Sequence, residues 1–503
     1  MKNMLAISTT FALLHLGHQA LGFAPSQPQS LKLLTQQRIL YSSLYGVEND
    51  LKRKTTITNG MEDNSPFYNH PISNPIESRV LKKVNPFALT RIDSEYLTSV
   101  TLWLGRYNTY LAIANIVVDK LSPSDSLPSR LRQAAHMPLR VPQIMALIYS
   151  GSKHVEVKEN TKTVTQSKSG ECKLKQEVLS KAIVERAAYL VSEDLNNIRE
   201  GIYPLPSELK LLNQVGPSVL PKTLKELYDG LNFALQDTYV GNADYSAPNE
   251  PSAYLMQLAS DLDLPDYYLV DYHSVPAGFL SPKHPPVYDL ISEAVFSGTH
   301  FMSRRMVMRP LAEEMSKKGA QFRSGRGIKL LDLGTGNGSF MIQLREAFPE
   351  LELHGIDLSP AMLEFAERSF RRSHLSMHKA SLIQGSMIGV PIDDVSFDFV
   401  TETNCFHEMP VSAIFDTAKE IARVLKPGGL FVHLDAVQMK DDPSIASVSR
   451  VTFDKQFVEP YMLDWMENVD LDEILSSNGM SPVGPPRPYY VSTVRCYRKV
   501  VGM

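Results

Sequence analysis

Cysteine is scarce. The 503 residues hold three, Cys172, Cys405 and Cys496, far apart and odd in number, which argues against a disulfide framework and a cysteine-based zinc site. No metal site is expected, and a reducing compartment suits the free thiols. A surplus of basic charge is also missing. With 51 Lys+Arg against 55 Asp+Glu the formal charge is −4, so the chain lacks the basic field that a phosphate backbone requires, and nucleic acid is not an expected partner. Long apolar runs are absent too: the longest near the start, residues 4–16, is too short to span a bilayer. There is no internal repeat and no low-complexity tract. What is present, 43% hydrophobic and 21% charged residues, is the balance of an ordinary globular protein, and the length predicts two or three folded units.

The N-terminus qualifies the compartment. Lys2 precedes the apolar run MLAISTTFALLHL, the charge and length of a signal-peptide core, and Phe23-Ala24-Pro25 opens a stretch to residue 47 with Lys32, Arg38 and several Ser/Thr but no Asp or Glu. A signal peptide over 1–22 and a transit-peptide-like segment over 23–47 are expected. Together they resemble the bipartite plastid leader of algae with red-type secondary plastids, such as diatoms. Plastid stroma reconciles a signal peptide with free thiols; the secretory pathway is the runner-up.

Residues 48–80 are polar, with scattered Pro, Asn and Gly, and read as a linker. Across 81–240 apolar residues recur at helical spacing, as in Tyr96, Leu97, Val100, Leu104 and Tyr107, and helices are predicted at 176–199 and 221–236. This is a helical domain, interrupted at 152–173 by a Ser/Thr/Lys/Glu-rich mobile insert with a marginal hairpin at 154–158. It carries no chemical signature, so packing, closure over a neighbouring site or homo-oligomerisation is its expected role. Residues 241–325, aromatic and Gly/Pro-rich, read as a cap.

Chemistry begins at about residue 326. Ile328-Lys329-Leu330-Leu331-Asp332 has the pattern of a buried parallel strand, and Gly334-Thr335-Gly336-Asn337-Gly338 follows, opening a helix at Ser339. Glycine suits a tight turn that lets a ligand approach the backbone. Ser339 stands where a dinucleotide fingerprint places its third glycine. A second strand ends in Asp357, about twenty residues on, where an acid can chelate ribose hydroxyls. Ser359-Pro360 starts a helix. Further strands are predicted at 382–387, 396–400 and 430–434, with a helix at 410–425, a Lys426-Pro427-Gly428-Gly429 turn, a helix at 471–477 and a strand at 489–499. This alternation implies a doubly wound α/β sheet.

The words LLDLGTGNG, GIDLSPAML, SFDFV and LKPGG, in this order, resemble the class I methyltransferases that use S-adenosylmethionine (SAM), in the branch similar to the quinone C-methyltransferases. The resemblance implies a Rossmann-like, seven-stranded sheet with one antiparallel strand over 326–503. It implies SAM as cofactor, held by Asp332, Gly334, Thr335, Gly336, Gly338, Asp357, Leu358, Ser386, Met387 and Asn404. Ser386 departs from the aspartate that many members carry near the adenine amino group.

The acceptor is expected to be a small molecule, met by the loop after the fourth strand. His407, Glu408 and the upstream His273 are candidate bases, needed if an oxygen or activated ring carbon is methylated. Tyr268, Tyr272, Phe406, Glu459, Tyr461 and Trp465 are candidate acceptor contacts, and their carboxylate and aromatic faces would equally suit a sulfonium product. Quinone or prenyl-lipid C-methylation is the first expectation. S-methylation of a thioether acid of the 4-methylthio-2-hydroxybutyrate type, on the route to dimethylsulfoniopropionate, is the second, and a non-catalytic SAM-binding scaffold the third.

Overall fold

The computed structural model describes residues 84, 88–121, 141–150, 164–166, 172–174, 176–210, 251–272, 277–373, 375, 378–446 and 459–501, all within the compact unit Asn69–Met503. The segments expected as a leader (1–47), a linker (48–80), a helix (221–236) and a hairpin (154–158), and His273, lie outside the described residues.

Helical periodicity dictates the first layer. α1 (Arg91–Leu121) buries Tyr96, Leu97, Val100, Trp103, Leu104 and Tyr107, a single stripe at three- and four-residue spacing. α2 (Val141–Ser150) and α3 (Gln176–Arg199) pack beside it. Between them, in the insert expected to lack structure, β1 (Val164–Gln166) pairs antiparallel with β2 (Cys172–Leu174). The buried residues of α1–α3 belong to the same apolar cluster as those of the sheet. Tyr189 stacks on Tyr489 with ring centroids 5.8 Å apart, and the half-buried Arg186 pairs with Asp442 at 2.7 Å.

α4 (Ala253–Ala259), α5 (Pro285–Val295), α6 (His300–Arg305) and α7 (Met308–Lys318) lead into the sheet. The described residues of the segment read as a cap are therefore largely helical. β3 (Lys329–Leu333), α8 (Ser339–Ala347), β4 (Glu352–Asp357), α9 (Pro360–Arg372), β5 (Ala380–Gln384), β6 (Phe397–Thr403), α10 (Val411–Val424) and β7 (Leu425–Ala436) follow the expected alternation. α11 (Met462–Glu467), α12 (Leu471–Ser477), β8 (Met480–Pro482), β9 (Arg487–Tyr489) and β10 (Ser492–Lys499) complete it.

The strand order is β5-β4-β3-β6-β7-β10-β8, with β9 also on β10. β3 to β7 pair in parallel and β10 is antiparallel to β7. β8 and β9 pair with opposite ends of β10 along the same edge. They are one edge strand broken by Val483-Gly484-Pro485-Pro486, where two prolines offer no N–H to the ladder. The seven-stranded, one-antiparallel sheet holds in this form. One local difference lies at the 426–429 turn, which sits inside β7. Leu425 pairs with Phe397 and Leu430 with Phe399, so the Lys-Pro-Gly-Gly quartet is looped out of the ladder.

Candidate active site

The carboxyl ends of β3, β4 and β6 converge on a cleft of about 840 Å³, counting its open mouth. Its floor is the glycine turn. Gly334, Gly336 and Gly338 have φ of +65°, +56° and +79°, a region costly for other residues. A Cβ on Gly334 would lie 2.4 Å from Cys405 Sγ, and one on Gly338 2.8 Å from Ala366 Cβ of α9. The first glycine opens the cleft and the last closes a helix contact.

Asp357 ends β4 beside this turn. Its two oxygens accept the backbone N–H groups of Gly336 and Ser359, each at 2.8 Å, and each oxygen keeps a lone pair for a ligand hydroxyl. Burial raises this carboxyl to about 6, against the lowering effect of those two bonds. Ser359 caps α9 by accepting from Met362 N, and its hydroxyl donates to Phe279 O at 2.7 Å, tying the upstream segment over the site.

The opposite end carries a guanidinium. Arg304, buried on α6, lines the cleft, and its Nε and Nη1 have no hydrogen-bond partner. Its nearest carboxylate is Asp289, at 3.6 Å, and the Tyr288 ring lies 5.9 Å from its carbon. Asp289 in turn accepts Ser339 Oγ at 2.5 Å and Asn337 Nδ2 at 3.0 Å. Its carboxylate thus stands at the start of α8, where a dinucleotide would put its pyrophosphate. Asp332 is buried outside the cleft lining, takes a 2.8 Å hydrogen bond from Thr401 and is raised by burial to about 7.

Of the residues singled out from sequence, Gly334, Thr335, Gly336, Asp357, Leu358, Met387, Asn404, Tyr268, Tyr272 and Glu408 line the cleft. Gly338, Asp332, Ser386, His407, Phe406, Glu459, Tyr461 and Trp465 do not. For Phe406 and His407 the cause is the turn after β6. Asn404 adopts φ of +62° and Phe406–Glu408 form a single 3-10 turn, which presents Glu408 to the cleft and sends Phe406 and His407 inward. Phe406 meets Trp465 edge-on and lies 5.1 Å from the His433 ring; Trp465 donates to Ala436 O. These are core contacts.

His407 is surrounded by carboxylates that favour its charged form. Its Nδ1 is 2.5 Å from Asp435 Oδ1, and its Nε2 is 3.8 Å from both Glu408 and Glu459. Burial alone would lower its pKa, but Asp435, then Glu459 and Glu408, more than offset this and lift it to about 10. Alongside, Glu402, His433 and Asp435 bring potential metal-ligand atoms within 4.8 Å of one another. Both carboxylates are engaged with protein groups, Glu402 with His433 Nδ1 and Cys405 N, Asp435 with His407 and Ala436 N, while His433 Nε2 is buried without a hydrogen bond.

Tyr267, Phe279, Tyr288, Arg304 and Cys405 also line the cleft, although none stood in the expected site. From sequence the Arg304-Arg305 pair suits a carboxylate clamp or an exposed helix face equally; both are buried, and Arg304 lines the cleft, while Tyr288 carries no local signal. Burial, then Glu402 and Glu408, pushes the Cys405 thiol well above its ordinary value, so it stays protonated and is no nucleophile.

Residues 330–429 match the family described as a methyltransferase domain. The chain is 32% identical over 152 residues to a demethylmenaquinone methyltransferase of Staphylococcus saprophyticus, covering 30% of this chain and 58% of that protein. Against the Staphylococcus aureus (strain Newman) protein of the same name the figures are 32%, 30% and 56%. The chain thus spans little more than half the length of these relatives. Among solved structures, a SAM-dependent methyltransferase from Aquifex aeolicus is 20% identical, with TM-score 0.28, over 38% of this chain and 89% of that one. Geranyl diphosphate C-methyltransferase from Streptomyces coelicolor is 15% identical, with TM-score 0.30, over 39% and 82%. The cleft fits SAM on its own terms: a carboxylate with lone pairs left for the ribose, a glycine floor where a Cβ on Gly334 would strike Cys405, and a buried guanidinium whose Nε and Nη1 make no hydrogen bond, for the amino-acid carboxylate. Residues 330–429 of this chain thus match a methyltransferase domain, in a sheet whose cleft fits SAM, and the chain is similar there to demethylmenaquinone methyltransferases.

Proposed function

We propose that the protein is a methyltransferase acting on a small, flat acceptor, a quinone-type or prenyl-lipid ring, methylated at carbon in the plastid. When bound, SAM supplies an electrophilic methyl group. Asp357 accepts the ribose hydroxyls, Arg304 pairs with the carboxylate, and the Gly334–Gly336 backbone gives the close approach. Glu408, the carboxylate on the acceptor side, takes the proton from an acceptor hydroxyl or ring carbon. Tyr268, Tyr272, Phe279 and Tyr288 offer ring faces that seat a flat acceptor and keep water out.

The observation that carries the choice of acceptor is the charge of the lining. Among the described lining residues Arg304 is the one cation, and the SAM carboxylate takes it. A thioether acid would then meet the carboxylates of Glu408 and Asp357 with no second cation, which ranks S-methylation of such an acid below ring methylation. The relatives named demethylmenaquinone methyltransferase support the same order. The plastid location rests on the leader's resemblance and is tested by a fluorescent fusion of residues 1–47.

The deciding experiment incubates the purified chain with methyl-deuterated SAM and a reduced demethylated quinone, then with a plastid lipid extract, and reads products by mass spectrometry. Label on a ring carbon is the expected result. Label on a thioether sulfur favours the second reading, and SAM binding with no labelled product favours a scaffold.

A further inference from the structure

The helices that precede the methyltransferase fold reach its cofactor end through two adjacent arginines. Arg304 and Arg305 are consecutive on α6, yet their side chains diverge: Arg304 lines the cleft, while Arg305 points away from it into α3. Arg305 is 2% exposed and pairs with the fully buried Asp194 of α3 by two parallel bonds, Nε to Oδ1 at 2.9 Å and Nη2 to Oδ2 at 2.7 Å. Its remaining nitrogen, Nη1, donates to Glu208 at 2.5 Å, and the same Glu208 oxygen accepts Gln343 of α8 at 3.1 Å. Tyr96 of α1 and Tyr203 also donate to Asp194, at 2.8 and 2.7 Å. The other end of α6 is held by α1, where Trp103 Nε1 donates to Gly298 O at 2.9 Å.

We propose that Asp194, together with Glu208, is a positioning residue for the cofactor site: by clamping Arg305 it fixes α6 so that the Arg304 guanidinium faces the carboxylate of SAM. The inference rests on the SAM-binding reading above. A six-residue helix does not hold its own direction, and Arg304 is aimed by loose contacts, 3.6 Å to Asp289 and 5.9 Å to the Tyr288 ring. The forked guanidinium–carboxylate pair one residue away is the most rigid side-chain anchor available. The N-terminal helices, which carry no chemistry themselves, thereby complete the site.

The test compares two ligands by calorimetry on the full chain. S-adenosylhomocysteine carries the amino-acid carboxylate; 5′-methylthioadenosine has the same nucleoside and sulfur without it. The wild type is expected to prefer the first. Asp194→Asn and Glu208→Gln should each weaken S-adenosylhomocysteine about tenfold, on the scale of one charge-assisted hydrogen bond, while leaving methylthioadenosine unchanged, as Arg304→Ala does directly. Equal loss for both ligands, or a wild-type ratio in both variants, overturns the proposal. If Asp194→Asn does not accumulate as folded protein, Glu208→Gln, at the partly exposed edge of the network, gives the same reading. A wild type that binds both ligands equally overturns the role of Arg304. One that binds neither overturns the SAM-binding reading itself.

Discussion

His407 and Asp435 form a buried pair, Nδ1 to Oδ1 at 2.5 Å, directly beneath the turn that presents Glu408. The pair fixes a positive charge on a histidine that lies one residue from the cleft. A residue held near pKa 10 is already protonated at neutral pH, which favours Glu408 for the proposed role of base. The charge belongs to the fold.

That pair has a pH signature. The histidine's usual value of 6.5 is raised to about 10 in the folded chain. Its stabilising contribution is therefore complete below about 6.5 and is lost as pH rises through about 10. His407→Gln leaves Asp435 without its cation and is expected to cost about 3 kcal/mol at pH 7. The gap should narrow as pH approaches 10. Urea unfolding of both proteins from pH 6 to 10 checks this, and parallel curves would contradict it.

Cofactor affinity should fall in the opposite direction. Asp357 titrates at about 6, and its ionised form is the better acceptor for ribose hydroxyls. SAM affinity should decline as pH drops from 7.5 to 5.5, by up to about tenfold per unit below the pKa. Asp357→Asn, with lower affinity throughout, should lose most of this dependence. A wild-type affinity independent of pH over that range would remove Asp357 from the ribose site.

Two glycines of one motif should behave differently. Gly334→Ala places a methyl against Cys405 at the cleft floor, so SAM affinity should fall at least about tenfold, by steric exclusion and the left-handed backbone penalty. Gly338→Ala drives its methyl into Ala366, away from the cleft, and should cost about 1–3 kcal/mol of stability. Affinity per folded molecule should be nearly unchanged. Thermal unfolding together with SAM titration separates the two.

On the acceptor side, Glu408→Gln keeps the shape of the turn and removes the carboxylate. kcat should fall about a hundredfold or more, within the range of general-base catalysis, with SAM affinity held within about twofold. Unchanged kcat would assign proton removal elsewhere.

The sheet and the cofactor half of the cleft were legible because they rest on local rules. A buried strand, a glycine turn and a strand ending in Asp357 are set by neighbours in sequence, and they occur as expected. The acceptor half was not. Whether His407 or Glu408 faces the cleft depends on a single 3-10 turn after Asn404, a difference of about 120 degrees in direction that periodicity does not encode. Trp465 and Phe406 were taken for a wall because aromatic residues serve walls and cores alike, and only their packing on His433 decides. The Arg304-Arg305 pair was legible only as a clamp or an exposed face, because which arginine enters the cleft turns on contacts with α3 more than a hundred residues earlier.

The most direct test is calorimetric titration of SAM into the wild type and Asp357→Ala. The account expects one saturable site per chain in the wild type, with affinity reduced about a hundredfold when the two ribose hydrogen bonds are lost. Absence of binding by folded wild type, or equal affinity in the two proteins, would contradict it.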